Sequence, residues 1–214
     1  MSIRNAHSRA RAAGTAALLL LPFAAAAQTT NIIRPIAAGQ TDLMSVPLVA
    51  VGGNAISNMF ADAPDGSVIY LWDLDLQNWI PSQKSSKDWP GSSRELQPGE
   101  AFLFKPSGAY TVVLRGTPPD PPIARPVSGD GRASLLGYFY PVDIHWTDTQ
   151  LATLLPPGSM VSFWNRTNAY FQTTFLKAPA AKGGGWGNTA SNYIIRAGDG
   201  FAAWQSGPDF NWSE

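Results

Sequence analysis

The sequence predicts an all-β protein of two tandem, duplicated β-sandwich-like units, each with one short helical turn. Two stretches share a Pro/Gly turn, a short apolar run and a tryptophan, and they lie 92 residues apart at Gly66 and Gly158 (158 − 66 = 92) and at Trp72 and Trp164. Only 14% of the residues are charged, whereas the chain contains 20 glycines, 18 prolines and 8 tryptophans. Short apolar runs separated by such turn residues are typical of sandwiches and barrels.

The first 27 residues have the pattern of a signal peptide. They carry three arginines and no acid, followed by an apolar run that ends in Ala25–Ala27. A basic start, a short apolar centre and small residues at the end are what signal peptidase recognises. The alternative is a membrane anchor, but spanning takes about 20 consecutive apolar residues. We therefore expect cleavage before Gln28, no membrane span afterwards, and a periplasmic or extracellular protein.

The rest of the chain divides by composition. The predicted segments are a leader (28–40), a first β-sandwich unit (41–116), a proline-rich linker (117–131) and a second unit (132–214). The linker is assigned because five prolines crowd residues 117–126 among few apolar residues. Proline-rich segments of this kind act as stiff spacers.

In the first unit, an opening strand is expected at Asp42–Val49, followed by a helical turn capped by Asn54. Proline and glycine then turn the chain into the apolar run Val68–Trp72, which pairs with a return strand that starts at Trp79. The run Tyr110–Arg115 alternates apolar and polar residues, as a half-buried strand does.

The second unit repeats this plan. Leu135–Tyr140 is its opening strand, and the residues Thr147–Gln150 have the spacing of a helix capping box. A hairpin of Met160–Trp164 and Tyr170–Phe175 follows. Because Trp72 and Trp164 end equivalent strands, we expect each to fill the core of its own unit.

The two anchor motifs resemble a β-sandwich repeat of secreted and surface proteins of Gram-negative bacteria, which reads V-Y-x-W-D and then L-x-P-G-E-A-F-F. Its counterparts here are Val68–Asp73 (VIYLWD) and Leu96–Phe104 (LQPGEAFLF). Its opening strand is matched only by Asp42–Pro47, and in the second unit Ile195–Phe201 (IRAGDGF) stands for the later motif. The resemblance implies a non-catalytic accessory or surface module without transferable catalytic residues.

Charge and residue inventory narrow the chemistry further. Lysine plus arginine and aspartate plus glutamate each number 15, so no basic surface suggests nucleic acid as a partner. The chain has no cysteine, which excludes disulfides, thiolate catalysis and cysteine metal sites. We expect no metal site and no cofactor.

Few residues suggest catalysis. His145 is the one histidine after the signal segment, and a polar loop role suits it better than that of a general base. Glu100 and Asp199 form a carboxylate pair that glycoside hydrolysis could use, but each follows an equivalent glycine, so a shared turn role explains them better. Asp73 and Asp75 lack the rest of a calcium loop, and we interpret them as hairpin-turn residues. No catalytic residue is assigned.

Two tryptophans are the candidate binding residues. Trp89 and Trp186 lie in polar loops rich in glycine or proline, at matching places between the two anchors. Exposed aromatic rings on loops can stack on sugars, whereas buried rings would cover a core. The alternatives therefore remain open.

We expect an exported, non-catalytic structural or interaction module of the bacterial envelope or extracellular space. Its partner would be a polysaccharide or another surface protein. A carbohydrate-binding module that uses the loop tryptophans is the alternative, and a hydrolase is a further, weaker one.

Overall fold

The computed structural model describes residues 29–214 apart from 87, 92, 122, 179–184, 188 and 189, and gives only the backbone of 172–174 and 191. The predicted signal peptide, residues 1–27, lies outside the described residues. The protein is all-β, as predicted, with antiparallel strands and two short helices. No helix in the described part of the chain is long and apolar enough to cross a membrane.

The first unit contains two antiparallel sheets and one helical turn. Its elements are β1 (Thr30–Ile36), β2 (Asp42–Ser45), β3 (Val49–Ala50), α1 (Ile56–Met59), β4 (Val68–Asp73), β5 (Asn78–Gln83), β6 (Ala101–Lys105) and β7 (Tyr110–Thr117). The larger sheet has the order β2-β6-β4-β5, and the smaller one has the order β1-β7-β3. Phe60, Phe102 and Phe104 pack between them and are fully buried.

The second unit has the same plan with additions. Its elements are β8 (Arg125–Val127), β9 (Ala133–Gly137), β10 (Ile144–His145), α2 (Gln150–Leu154), β11 (Met160–Asn165), β12 (Tyr170–Ala178), β13 (Gly185–Trp186), β14 (Ile194–Ile195), β15 (Gly200–Trp204) and β16 (Phe210–Trp212). The sheet orders are β13-β12-β11-β15-β9, β8-β16 and β10-β14. Trp146, Phe201 and Trp212 fill the core.

Strand pairing in the two units follows constant offsets. Met44 faces Phe102 in the β2–β6 pair, and Leu136 faces Phe201 in the β9–β15 pair. The first members lie 92 residues apart (136 − 44 = 92), and the second members lie 99 apart (201 − 102 = 99). The tryptophan pattern that predicted two similar units therefore coincides with equivalent register in the sheets.

Two segments taken for leader and linker contribute strands. β1 lies within residues 28–40 and pairs along its length with β7, while β8 lies within 117–131 and pairs with β16. The two strands were not predicted from composition, because each contains a proline, at Pro35 and Pro126. Proline is tolerated on an edge strand, where one side of the backbone needs no partner.

The helix caps also differ in detail from expectation. α1 has no side-chain cap, because the amide of Asn54 instead bonds the backbone of Leu48, Ala50 and Leu96. α2 is capped by Thr149, whose hydroxyl accepts the backbone N–H of Ala152 at 3.1 Å. The predicted box placed this cap two residues too early.

Trp72 and Trp164 do not fill the cores of their units, so that expectation is wrong. On β4 it is Ile69 that is fully buried in the first core, and on β11 it is Phe163 that lies in the second. The two tryptophans point to the opposite sheet face, because adjacent residues of a strand face opposite ways. There they join a third apolar cluster, between the units.

We call this boundary between the units the seam. Its buried residues are Leu43, Ala101, Leu135 and Ala202, with Trp72, Trp79, Leu103, Ala133, Trp164, Phe171 and Trp204 packed against them. Trp72 meets Trp79 edge to face at 5.1 Å between centroids, and Trp164 meets Phe171 in the same way at 5.2 Å. Both larger sheets thus contribute equivalent aromatic pairs to one shared apolar layer.

Reciprocal backbone bonds cross the seam. The N–H of Ser45 donates to the carbonyl of Gly198 at 2.9 Å, and the N–H of Gly137 donates to the carbonyl of Gly99 at 3.0 Å. Ser45 and Gly137 are 92 residues apart, and Gly99 and Gly198 are 99 apart. Such exchange of equivalent contacts is what a two-fold arrangement of similar subunits produces.

Candidate functional site

The two loop tryptophans anchor helical turns. The indole Nε1–H of Trp89 donates to the carbonyl of Phe60 at 3.1 Å, and that of Trp186 donates to the carbonyl of Ala152 at 3.0 Å. Phe60 and Ala152 are 92 residues apart, so the two bonds are equivalent. Trp89 is only 2% exposed, and Trp186 is partly buried.

Sugar stacking needs an open ring face, which Trp89 does not present. Trp186 packs edge to face on Trp146 at 5.1 Å, and the Lys177 ammonium lies 5.8 Å from its ring centroid. The tryptophans belong to separate cores, so the fold does not bring them together on one binding face.

The polar residues considered for catalysis or calcium mostly have turn roles. The carboxylate of Asp73 accepts the backbone N–H groups of Asp75 and Leu76 at 2.9 and 2.8 Å, which confirms the hairpin-turn interpretation. His145 is exposed on β10. Among the described residues, no group of three or more His, Cys, Asp or Glu side chains could hold a metal ion.

Glu100 and Asp199 each close a turn, as predicted. Glu100 accepts the N–H of Gln97 at 3.0 Å, and Asp199 accepts the N–H of Arg196 at 3.3 Å. Each also meets an arginine from the other unit: Arg125 lies 3.9 Å from Glu100, and Arg34 forms an ion pair with Asp199. The two carboxylates therefore hold the units together.

A buried ionic cluster lies at the seam around Asp42. Its carboxylate accepts from the Nε–H of Arg166 at 3.0 Å and lies 3.5 Å from the guanidinium of Arg34. Arg34 and Asp42 are 5% and 1% exposed. Burial raises the pKa of Asp42, although the two arginines oppose the shift. Charges this deeply buried are stable only when they are paired.

Sequence reasoning missed this cluster because Arg34 lies in a segment that looked like a polar leader. The available signal was a strand pattern, since Ile32, Arg34 and Ile36 are the buried residues of β1. An arginine at a core-facing position is not expected from side-chain polarity. Its partner Asp199 is 165 residues away, so no local pattern reveals the pair.

Three clefts open along the seam, and we name each after one residue. The Trp72 cleft has a volume of about 260 Å³ and is lined by charged residues that include Asp75, Arg94 and Glu100. The Trp164 cleft, of about 540 Å³, is its counterpart in the second unit. The Asp42 cleft, of about 330 Å³, adjoins the Trp164 cleft. Small-molecule sites usually have volumes of about 300–1,000 Å³.

The Trp72 and Trp164 clefts differ in how the indole N–H of the tryptophan is bonded. The Nε1–H of Trp72 donates to the carbonyl of Ala133 at 3.0 Å, and Gln77 also bonds this peptide through both its amide atoms. At the position equivalent to Gln77 the second unit has Ala169. Among the described residues, the buried Nε1–H of Trp164 has no hydrogen-bond partner.

The Trp72 and Trp164 clefts combine aromatic residues with a larger number of hydrogen-bonding residues. In the Trp164 cleft, burial raises the pKa of Tyr193 to about 12, and nearby Asp199 adds to the shift. Its phenol therefore stays a neutral hydrogen-bond donor at physiological pH. In the Trp72 cleft, burial lowers the pKa of Arg125 although Glu100 opposes the shift. Such surfaces suit recognition of a polar ligand.

Comparison of the chain with protein-family models, with curated proteins and with solved structures found no match.

Proposed function

We propose that the protein is an exported, non-catalytic interaction module of the bacterial envelope or extracellular space, built from a duplicated β-sandwich-like unit. The N-terminal signal pattern and the resemblance to bacterial surface repeats support export. Binding takes place at the seam, where polar clefts lie beside tryptophans. The partner is a surface protein or a polysaccharide.

The observation that carries the proposal is the construction of the seam. Its backbone bonds, the ion pairs Arg34–Asp199 and Arg166–Asp42, and its apolar layer fix the two units against each other. A rigid framework that displays clefts is well suited to binding, since little order has to be gained when a ligand arrives. The Trp72 and Asp42 clefts also combine residues from both units, as Asp42 and Arg166 illustrate.

Carbohydrate binding is the second candidate function. The sequence-based prediction of carbohydrate binding depended on Trp89 and Trp186, but these side chains anchor helical turns. At the seam, by contrast, Trp72 and Trp164 line clefts together with carboxylate, amide and guanidinium groups. Ligand sites with a few polar groups around aromatic surface are common in proteins.

A hydrolase has less support. The carboxylate pair Glu100 and Asp199 is divided between the Trp72 and Trp164 clefts, so the two groups do not flank one bond. In glycoside hydrolases the paired carboxyl groups lie within about 10 Å on either side of the scissile bond.

One experiment tests export and the lack of catalysis together. The full chain is produced in a Gram-negative host, and the exported protein is analysed by mass spectrometry and incubated with polysaccharides. We expect an N-terminus at Gln28 and no release of reducing ends above the blank. An intact Met1 on the folded protein would contradict export. Turnover that is lost in Glu100→Gln or Asp199→Asn would contradict the non-catalytic assignment.

A further inference from the structure

The Asp42 and Trp164 clefts are neighbours that share part of their lining. Both are lined by Arg166 and Thr167, and they have volumes of about 330 and 540 Å³. We call them together the Arg166 groove. It runs across the seam, from Gln40 of the first unit to Asn192 of the second.

Two residues that line this groove each have a buried polar side-chain atom without a hydrogen-bond partner among the described residues. One is the Oδ1 atom of Asp42, whose side chain is 1% exposed, and the other is the Nε1–H of Trp164. Leaving a buried donor or acceptor unpaired costs about 1–3 kcal/mol. Unpaired groups of this kind in a native structure call for an unplaced water or ligand.

The contrast with the other side of the seam makes the Trp164 group informative. At the equivalent position, Trp72 donates to Ala133, and Gln77 holds that peptide in place. The second unit has Ala169 where Gln77 would be, so the indole N–H there is left without that arrangement. The same fold thus satisfies one tryptophan internally and leaves the other to an outside acceptor.

The charges of the groove are balanced. The lining has three carboxylates, on Asp42, Asp143 and Asp199, and two guanidinium groups, on Arg166 and Arg196. The buried Arg34, which pairs with Asp42 and Asp199, is the third cation. A strongly anionic or cationic ligand would meet one repulsive partner for each attractive one. A neutral ligand that both donates and accepts hydrogen bonds matches an unpaired acceptor and an unpaired donor.

We propose that the Arg166 groove binds a neutral saccharide. One sugar hydroxyl donates to Asp42 Oδ1, and a second sugar oxygen accepts from Trp164 Nε1. This inference rests on the proposed function and names its ligand class and site. Arg166 reaches Asp42 from the surface: its side chain is 41% exposed, and its Nε–H donates to Asp42 Oδ2 at 3.0 Å. The ligand displaces Arg166 while Arg34 stays paired with Asp42 and Asp199.

The test is calorimetric titration of the mature full chain with cello-, xylo-, malto- and mannohexaose, and with hexagalacturonate as a charged control. We expect at least one neutral hexasaccharide to bind and the uronate to bind more weakly. Trp164→Phe keeps an aromatic ring but removes the N–H, so binding should weaken about tenfold, as expected for one lost hydrogen bond. Thr167→Val, at an exposed position of the groove, should also weaken binding.

Trp72→Phe is the matched control, because its N–H is already used within the protein. This variant should lose stability in denaturant unfolding, because it removes the bond to Ala133. Trp164→Phe should retain the parent's stability, since the group it removes has no partner to lose.

Three outcomes overturn the saccharide site: no neutral hexasaccharide binds, only the uronate binds, or Trp164→Phe binds as tightly as the parent. The last would mean that internal water satisfies the indole. None of these outcomes contradicts the non-catalytic interaction module. Conversely, release of reducing ends from a bound hexasaccharide would contradict the module and leave the binding site standing.

Discussion

At the scale of single residues, Asp42 shows how burial and pairing compete. Two arginines stabilise its charged form, and yet removal from water dominates and raises its pKa above the usual 3.8. Burial disfavours the charged form of an acid, and here two ion pairs only partly compensate. The pair of Asp42 with Arg166, which joins the two units, therefore fixes how they meet more than it adds to stability.

This residue predicts a pH dependence. Because the pKa of Asp42 is higher in the folded protein than in the unfolded chain, the folded state binds the proton more tightly. The stability that this proton binding adds is fully present below 3.8, the pKa of the unfolded chain. It is lost as pH rises through the raised pKa of the folded protein. Asp42→Asn should therefore reduce the fall in unfolding free energy as pH rises above about 4, as measured by urea unfolding.

Asp209 is the control, because its pKa is shifted in the opposite direction. The backbone N–H of Gly129 lowers the pKa of Asp209, so its contribution is present above the unfolded pKa and is lost on acidification. Asp209→Asn should diminish the loss of stability below about pH 4. If Asp42→Asn left the pH profile unchanged, the carboxyl would not be buried in the folded protein.

At the scale of elements, each unit uses a tryptophan and a lysine to secure its helical turn. Lys84 Nζ donates to the carbonyls of Ala61 and Ala63, and Lys177 Nζ donates to those of Ala152, Thr153 and Leu155. Cations near the last carbonyls of a helix satisfy acceptors that the helix cannot. The tryptophans bond to the same turns.

The two tryptophans should accordingly differ in their contribution to stability. Trp89→Ala removes a fully buried ring and should lower the free energy of unfolding by about 3–5 kcal/mol. Trp186→Ala should cost less, because that ring is only partly buried. Guanidinium unfolding followed by circular dichroism measures both. Near-parental stability of Trp89→Ala would return that residue to the list of surface binding residues.

At the scale of the whole molecule, the seam decides whether the units behave as two domains or one body. Gly137 makes the closest approach: a Cβ there would lie 2.0 Å from the Cβ of Ser45, its equivalent in the first unit. Equivalent residues that touch each other lie at the centre of a two-fold arrangement. Glycine at one of the two positions is what allows the contact.

A protease site inserted between Pro119 and Ile123 tests whether the seam holds the two units together after the chain is cut. After cleavage of the folded parent, we expect the two fragments to elute as one particle in gel filtration. Gly137→Ala forces the seam apart, so its cleaved fragments should separate at the same concentration. Gly187→Ala is the control, because a Cβ there meets nothing within 4 Å. Separation of the parent fragments on cleavage would show that the units are independent domains.

The fold class and the plan of each unit could be predicted from the sequence. Alternating or apolar runs between Pro/Gly turns located β4, β7 and β11, since side-chain period and turn chemistry are local properties. The equal offsets from Gly66 to Gly158 and from Trp72 to Trp164 predicted two similar units. The turn roles of Asp73, Glu100 and Asp199 were also readable, because each carboxylate bonds a backbone N–H within three residues.

Only the tertiary structure decided which face of those strands is inside and where the site lies. An apolar strand has two apolar faces, and Trp72 could have pointed to either, so burial in a core and burial at the seam look alike in sequence. The proline-containing strands β1 and β8 form because distant partners supply their hydrogen bonds. The Arg166 groove joins residues of both units, and contacts over such separations leave no local pattern.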